Sequence, residues 1–286
     1  MSRPRLRAMT TADVEPAVAA IKADDWGDRR AWFEYALASP DCRTVVAVDD
    51  DDQPIGTAVL SIHGPVGWIG TIWVARAWRR QGFGLDLTQA TLDAANTAAC
   101  RTLVLVSTDA GRPMYERLGF EVQTWYRTMQ APVGQGAGLD PRKTGDADDR
   151  AIRDFRTSDL PSILALDRTA TGEDRSAALT MLARPESTRV LESDGVVAGF
   201  VMRAPWGGGA TIAPRVDDGL RLIDARRSTT SGRPVRCGIL LENEAGSDAL
   251  ATRGWIEAWR APRLIRGDAL TWEPSHIWGQ FNHAMG

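Results

Sequence analysis

The segment Arg79-Arg80-Gln81-Gly82-Phe83-Gly84 joins two guanidinium groups to a Gly-x-Gly turn. That composition suits an anion. Glycines let the backbone approach a phosphate closely, and a helix that begins just after them offers free N–H groups and the positive end of its dipole. By itself such a turn marks an anion-binding loop and nothing narrower. A Walker loop would need Gly-Lys-Ser/Thr, which is missing here. A dinucleotide fingerprint would need Gly-x-Gly-x-x-Gly, whereas Asp86 and Leu87 follow Gly84. Further along, Tyr115-Glu116-Arg117-Leu118-Gly119-Phe120 places a phenol ahead of a Gly-Phe turn. A phenol (~10) can donate a proton to a departing thiolate (~8.5), or it can simply pack a helix on a sheet.

The elements that must position these residues are legible from hydrophobic pattern and turn chemistry. Thr44–Val48 and Ile55–Ile62 read as a hairpin around the turn Asp49–Pro54. Four aspartates there could suggest calcium, but between two strands a solvated turn is the stronger reading. Trp68–Val74 is the strand before the glycine loop, and a helix is expected from Leu85 to Ala98. A strand over Thr102–Ser107, a short helix over Arg112–Leu118 and a strand over Phe120–Met129 complete the pattern. Strands interrupted by a few helices imply an α/β or α+β fold with a mixed sheet.

Arg-x-x-Gly-x-Gly after a strand ending in Trp73-Val74, and then Tyr115 to Phe120 after the next strand, resembles the GNAT acetyltransferase superfamily. The resemblance covers about Pro4 to Met129 and implies an N-acetyltransferase that uses acetyl-CoA, without a metal. It implies that Gln81, Gly82, Phe83 and Gly84 hold the CoA pyrophosphate, aided by Arg79 or Arg80. The strand Ile72-Trp73-Val74 would bind the pantetheine arm, and a backbone N–H near Val74 would stabilise the oxyanion of a tetrahedral intermediate. Tyr115 would protonate the leaving thiolate. Some relatives carry a glutamate on the strand matching Trp68–Val74; this strand has no acidic residue. The base that deprotonates the amine is therefore sought elsewhere, at Asp25, Asp28, Glu34 or His63, or in a water chain. Trp26, Trp68 and Trp73 could wall an acceptor pocket or serve as ordinary core.

The chain then repeats itself. Leu6-Arg7-Ala8-Met9-Thr10-Thr11-Ala12-Asp13-Val14 aligns with Ile152-Arg153-Asp154-Phe155-Arg156-Thr157-Ser158-Asp159-Leu160. Each reads as a strand, a polar turn and a helix start, with Thr11 or Asp13, and Thr157 or Asp159, as candidate N-caps. Two tandem GNAT-like domains follow from this, each a mostly antiparallel sheet flanked by helices: residues 1–132, a Gly- and Pro-punctuated linker over 133–149, and residues 150–286. In the second copy Arg215-Val216-Asp217-Asp218-Gly219 stands where the glycine loop was, and Leu250 stands where Tyr115 was. Two carboxylates would repel a pyrophosphate, so this copy is expected to be inactive. Its ending, Ile277 to Gly286, and the stretch Leu166 to Arg175 look like the C-terminal domain of bacterial tandem GNAT proteins. Asp174, Arg175 or His276 would then either reach an acceptor pocket or be scaffold.

Composition narrows the class. A net charge of −3 gives no electrostatic footprint for nucleic acid or an anionic membrane. The basic residues are almost all arginine, with lysine only at 22 and 143. Cys42, Cys100 and Cys237 show no metal-ligand spacing, and the N-terminus has no apolar leader. The expectation is a cytoplasmic enzyme, monomer or homodimer, acting on a small-molecule amine such as an amino acid, a polyamine or an antibiotic-like metabolite. An acyl-CoA sensor without turnover, or a transferase of a larger acyl group, is the competing reading.

Overall fold

The computed structural model describes residues 4–132, 151–228 and 235–286, and the expected linker over 133–149 lies outside them. The chain divides into two units. The first holds the residues up to Glu121 with Leu264–Asp268 and His283–Gly286; the second holds Val122–Arg263 and Ala269–Asn282.

In the first unit the elements run β1 (Arg5–Ala8), α1 (Thr11–Ala23), α2 (Arg30–Ala38), β2 (Cys42–Val48), β3 (Pro54–His63), β4 (Val66–Val74), α3 (Phe83–Thr97), β5 (Thr102–Val106) and α4 (Arg112–Arg117). Strands β1 to β4 are antiparallel neighbours, and β5 joins β4 in parallel. Nearly every residue of β3 is buried, as a strand must be when both faces of its sheet are covered. Leu87 of α3 packs with Ala47, Ile55 and Ala58 on one face. The aspartate-rich turn closes on itself: Asp49 accepts from Asp51 N and Gln53 N, and Asp52 pairs with Arg5 and Arg7.

The second unit repeats the order with β7 (Ala151–Asp154), α5 (Leu160–Thr171), α6 (Ser176–Leu182), β8 (Thr188–Ser193), β9 (Val196–Arg203), β10 (Gly209–Ile212), α7 (Val216–Ser228), β11 (Arg236–Leu240), α8 (Glu244–Thr252) and β12 (Ile256–Gly267). It also contains β6 (Glu121–Gln130) and the closing strand β13 (Ile277–Gly279). Its sheet runs β13-β10-β9-β8-β7.

The final strands of the two copies are exchanged. Strand β6 follows the first copy in sequence, yet it pairs with β11, from Arg236↔Gln130 to Leu240↔Tyr126. Conversely, β12 begins in the second unit and its end belongs to the first, where it lies beside β5. There Thr102 Oγ1 donates to Asp268 O at 2.8 Å. Exchange satisfies the same backbone groups that each copy would otherwise pair internally.

The two helix starts share one bonding pattern, and the first differs from the expected caps. Thr10 is the N-cap of α1, and Asp13 reaches back to accept from Thr10 N at 2.7 Å. Asp13 is then clasped by Arg7 through two bonds of 2.7 and 2.8 Å. In the second copy Asp159 accepts from Arg156 N at 2.7 Å and from Arg153 at 2.8 and 2.9 Å. In both copies the aspartate reaches back three residues; in the second, Arg156 caps a 3-10 turn over Thr157–Asp159, and Asp159 is itself the N-cap position of α5, as expected.

Candidate active site

Strand β4 ends at Val74, a single turn of 3-10 helix covers Arg76–Trp78, and α3 starts at Phe83. Gly82 is the N-cap at φ +92°, a conformation that disfavours any side chain. A Cβ there would meet nothing within 4 Å, so the space in front of the loop is open. The N–H groups of Gln81, Gly82, Phe83 and Gly84 have no acceptor among the described residues. Four consecutive free donors at the start of a long helix can receive an anion. Phe83 itself is buried, its ring 5.8 Å from that of Trp78, so it contributes backbone and an anchor.

The two arginines separate. Arg80 is exposed, sits at φ +62° and makes no ion pair among the described residues. Arg79 is tied back: its Nε donates to Val74 O at 2.8 Å and its Nη2 to Asp24 at 2.5 Å. Asp24, the C-cap of α1, also accepts from the Trp73 indole at 3.1 Å. It thereby fixes the loop and the end of β4 to the first helix. Sequence reading singled out Asp25 and Asp28 instead; nothing in the pattern separates Asp24 from its neighbours.

Above the loop the sheet opens. Strands β4 and β5 are paired only over Val66↔Thr102, Gly67↔Leu103 and Trp68↔Val104, although β4 continues to Val74 and β5 to Val106. A bulge lies at the parting: Thr71 and Ile72 of β4 stand against Ala58 alone, between the pairs Val59↔Gly70 and Thr57↔Trp73. Thr71 is held at φ +53°. Its carbonyl accepts from Thr57 Oγ1 at 2.9 Å and its hydroxyl accepts from the Trp32 indole at 2.9 Å. Such strain costs about 1–3 kcal/mol and persists where surrounding contacts over-determine it, typically beside a site.

Tyr115 stands on α4, which Pro113 helps to start. Its ring is buried and meets Phe120 edge-on at 6.1 Å. Its hydroxyl pairs with Thr88 of α3, and Thr88 Oγ1 in turn donates to Gly84 O at 2.8 Å. A short chain of contacts thus ties the phenol to the glycine loop. Burial pushes its pKa up to about 12. Thr88 was not singled out from sequence; its spacing from Gly84, one helical turn, is the signal that could have found it.

The remaining candidates scatter. Trp73 is buried with its indole on Asp24. Asp25, Trp26, Asp28 and Glu34 lie at the surface, Asp25 at φ +63° and Asp28 beside Lys22. His63 is buried, with Nε2 3.2 Å from Met285 O. In the second unit Asp174 pairs with Arg168 and accepts from Ser176 N, Arg175 is buried against Asp167, and His276 closes a 3-10 turn. Among the described residues no cluster of His, Cys, Asp or Glu could hold a metal. Among the described residues no helix is long and apolar enough to cross a membrane.

The matching place in the second copy is filled by protein. Strand β13 pairs with β10 along Thr211↔Gly279 and Ile212↔Ile277. Trp278 is 1% exposed and donates its indole N–H to Ala213 O at 3.1 Å. It presses on Gly219 in the first turn of α7, where a Cβ would lie 2.0 Å from the indole. Leu250 is buried in α8 at the counterpart of Tyr115.

The model of the acetyltransferase (GNAT) family matches residues 8–120. No curated protein matches the sequence. A Pyrococcus horikoshii protein assigned to the acetyltransferases superposes with a TM-score of 0.80 at 19% identity, covering 99% of this chain and 96% of its own. A GCN5-related N-acetyltransferase from Sphaerobacter thermophilus gives 0.65 at 16% identity, covering 95% and 99%. A tandem GNAT protein from the clavulanic acid biosynthesis pathway gives 0.61 at 12%, covering 93% and 98%. Residues 8–120 thus match the acetyltransferase (GNAT) family model, and the whole chain shares the fold of these acetyltransferase and tandem GNAT structures.

Proposed function

We propose that the first unit is an acetyl-CoA-dependent N-acetyltransferase acting on the amine of a small molecule. The observation that carries this reading is the run of unbonded N–H groups from Gln81 to Gly84 at the foot of the parted strands β4 and β5. These groups fit a pyrophosphate, and the open wedge fits an extended chain that must bond to backbone. Acetyl-CoA would supply the acetyl group as a reactive thioester. The amine attacks the acyl carbon directly, the C–S bond breaks, and CoA leaves as the thiolate, which then takes a proton from water.

Tyr115 sharpens one step. With a pKa of about 12, it is ~3 units less acidic than a thiol. Outright proton transfer to the departing sulfur is uphill, so Tyr115 donates a hydrogen bond as charge develops there and keeps its proton. Because β4 has no carboxylate and the exposed Asp25, Asp28 and Glu34 are ordinary surface groups, water removes the proton from the amine.

The test is thiol release from acetyl-CoA with a panel of amines, beside calorimetric binding of CoA. Turnover that falls steeply in Tyr115→Phe while CoA still binds supports the reading. Binding of acetyl-CoA with no turnover on any amine would make the protein a sensor. Faster release from succinyl-CoA than from acetyl-CoA would make it a transferase of a larger acyl group.

A further inference from the structure

Arg29 stands at the N-cap of α2 in the first unit and is half-buried. A cation is poorly placed there, because the helix N-terminus is itself positive. Burial pushes its pKa down, and the nearest offsetting charge is Asp28, which is already engaged by Lys22 and Arg30 N. Among the described residues Arg29 makes no ion pair and no side-chain hydrogen bond. Arginine so placed, with its planar fork of donors intact, is an open receptor for a carboxylate.

Its surroundings connect it to the site. Trp32, one helical turn on, donates its indole N–H to Thr71 at the bulge of β4. Beside Arg29 lies the ring of His283, which burial and this same guanidinium push down to about 4, so it stays neutral. The chain end carrying His283 runs along β3 and β4. Ser61 Oγ donates to Ala284 O at 2.9 Å, and Ala284 fits against Gly70, where a Cβ would come within 2.3 Å. Gly286 lies on the indole of Trp68. Trp68 is the last residue of β4 paired with β5, so the chain end that carries His283 reaches the place where the strands part.

We propose that the acceptor amine carries a carboxylate that Arg29 takes up, making the substrate an amino acid or a related amino-carboxylic acid. This rests on the N-acetyltransferase reading and narrows it. In the bound state the guanidinium fork grips both carboxylate oxygens, and neutral His283 adds no competing charge. The acceptor's amine is then directed toward the wedge beside Thr71.

The experiment compares phenylalanine, methionine, glutamate and arginine with their α-amides, using kcat/KM with acetyl-CoA in the wild type, Arg29→Ala and Arg29→Lys. The expected acid-to-amide ratio is about 10- to 100-fold in the wild type, as one charged hydrogen-bonded pair would give. It should collapse toward one in Arg29→Ala and lie between in Arg29→Lys. Equal use of acids and amides by the wild type overturns the proposal, as does an equal loss on both in Arg29→Ala. A protein with no turnover at all fails the enzymatic reading instead. Calorimetry of the CoA complex with N-acetylphenylalanine and its methylamide then decides. Binding of the acid alone, lost in Arg29→Ala, upholds the carboxylate site; no binding, or equal binding of both, overturns it.

Discussion

The two copies share one order of elements and differ in what fills the gap beside their fourth strand. In the first, β4 and β5 part, and the donors at the start of α3 face open space. In the second, β13 occupies the flank of β10, and Trp278 seals the start of α7. A fold that keeps a cleft must tolerate unpaired backbone along its edges; a fold without one pairs those groups with something else. The second copy does so with its own chain. Its two carboxylates at Asp217 and Asp218 matter less than this plug, since Asp218 is itself buried and near Arg215.

The comparison breaks most visibly at Tyr115. Tyr115→Phe should lower kcat by about 10²-fold or more if the phenol assists sulfur, with CoA affinity retained in calorimetry. A variant of near-normal kcat would put the open copy on a par with the closed one. The wild-type pH–rate profile should also rise as the amine loses its proton and then stay flat to about pH 10, because the phenol titrates only at about 12. A falling limb below that would reject the assignment.

Next comes the plug. Trp278→Ala should cost about 3–5 kcal/mol of stability by urea titration, and CoA should still bind once per chain. A second bound CoA would show that the cleft of the second copy is merely covered rather than lost.

The chain end gives a third difference, confined to the first unit. His283 has a folded pKa of about 4, below the ~6.5 of an unfolded histidine. The unfolded chain therefore binds the proton more tightly, so stability is complete above pH 6.5 and declines as pH falls toward 4, by about 3 kcal/mol in total. Urea midpoints of the wild type and His283→Gln between pH 7 and 4 should diverge in slope; parallel curves would remove His283 from the acid response.

The smallest effect tests what the copies share. Asp13→Asn and Asp159→Asn should each cost about 1–2 kcal/mol, since each removes a charge from a clasped helix start. Matching losses in urea titrations would show that the repeat is energetic as well as visual. A loss in only one would confine the motif's role to that unit.

Local rules made much of this readable. The hairpin β2–β3 arises from alternating apolar runs around an aspartate turn, and its limits differ from expectation by a residue or two. Helix α3 begins two residues earlier than expected, because Gly82 caps it and Phe83 is already helical. Arg79 was read as one of two charges for the phosphate, and only contacts from a distant helix show it bonded to Asp24. The exchange of β6 and β12 has no local signature, since either strand satisfies the same ladder.

The sequence by itself determined the repeated unit, the Gly-x-Gly turn at a helix start, the tyrosine and the absence of both from the second copy. Each of these is a matter of residue type at short spacing, where backbone freedom, side-chain chemistry and helix polarity act locally. Only the tertiary structure decided that β13 closes the second cleft, that the chain end settles beside β4, and that Arg29 makes no ion pair among the described residues. Those outcomes turn on which distant segments compete for the same unpaired backbone and buried charge, and no short stretch of sequence encodes the winner.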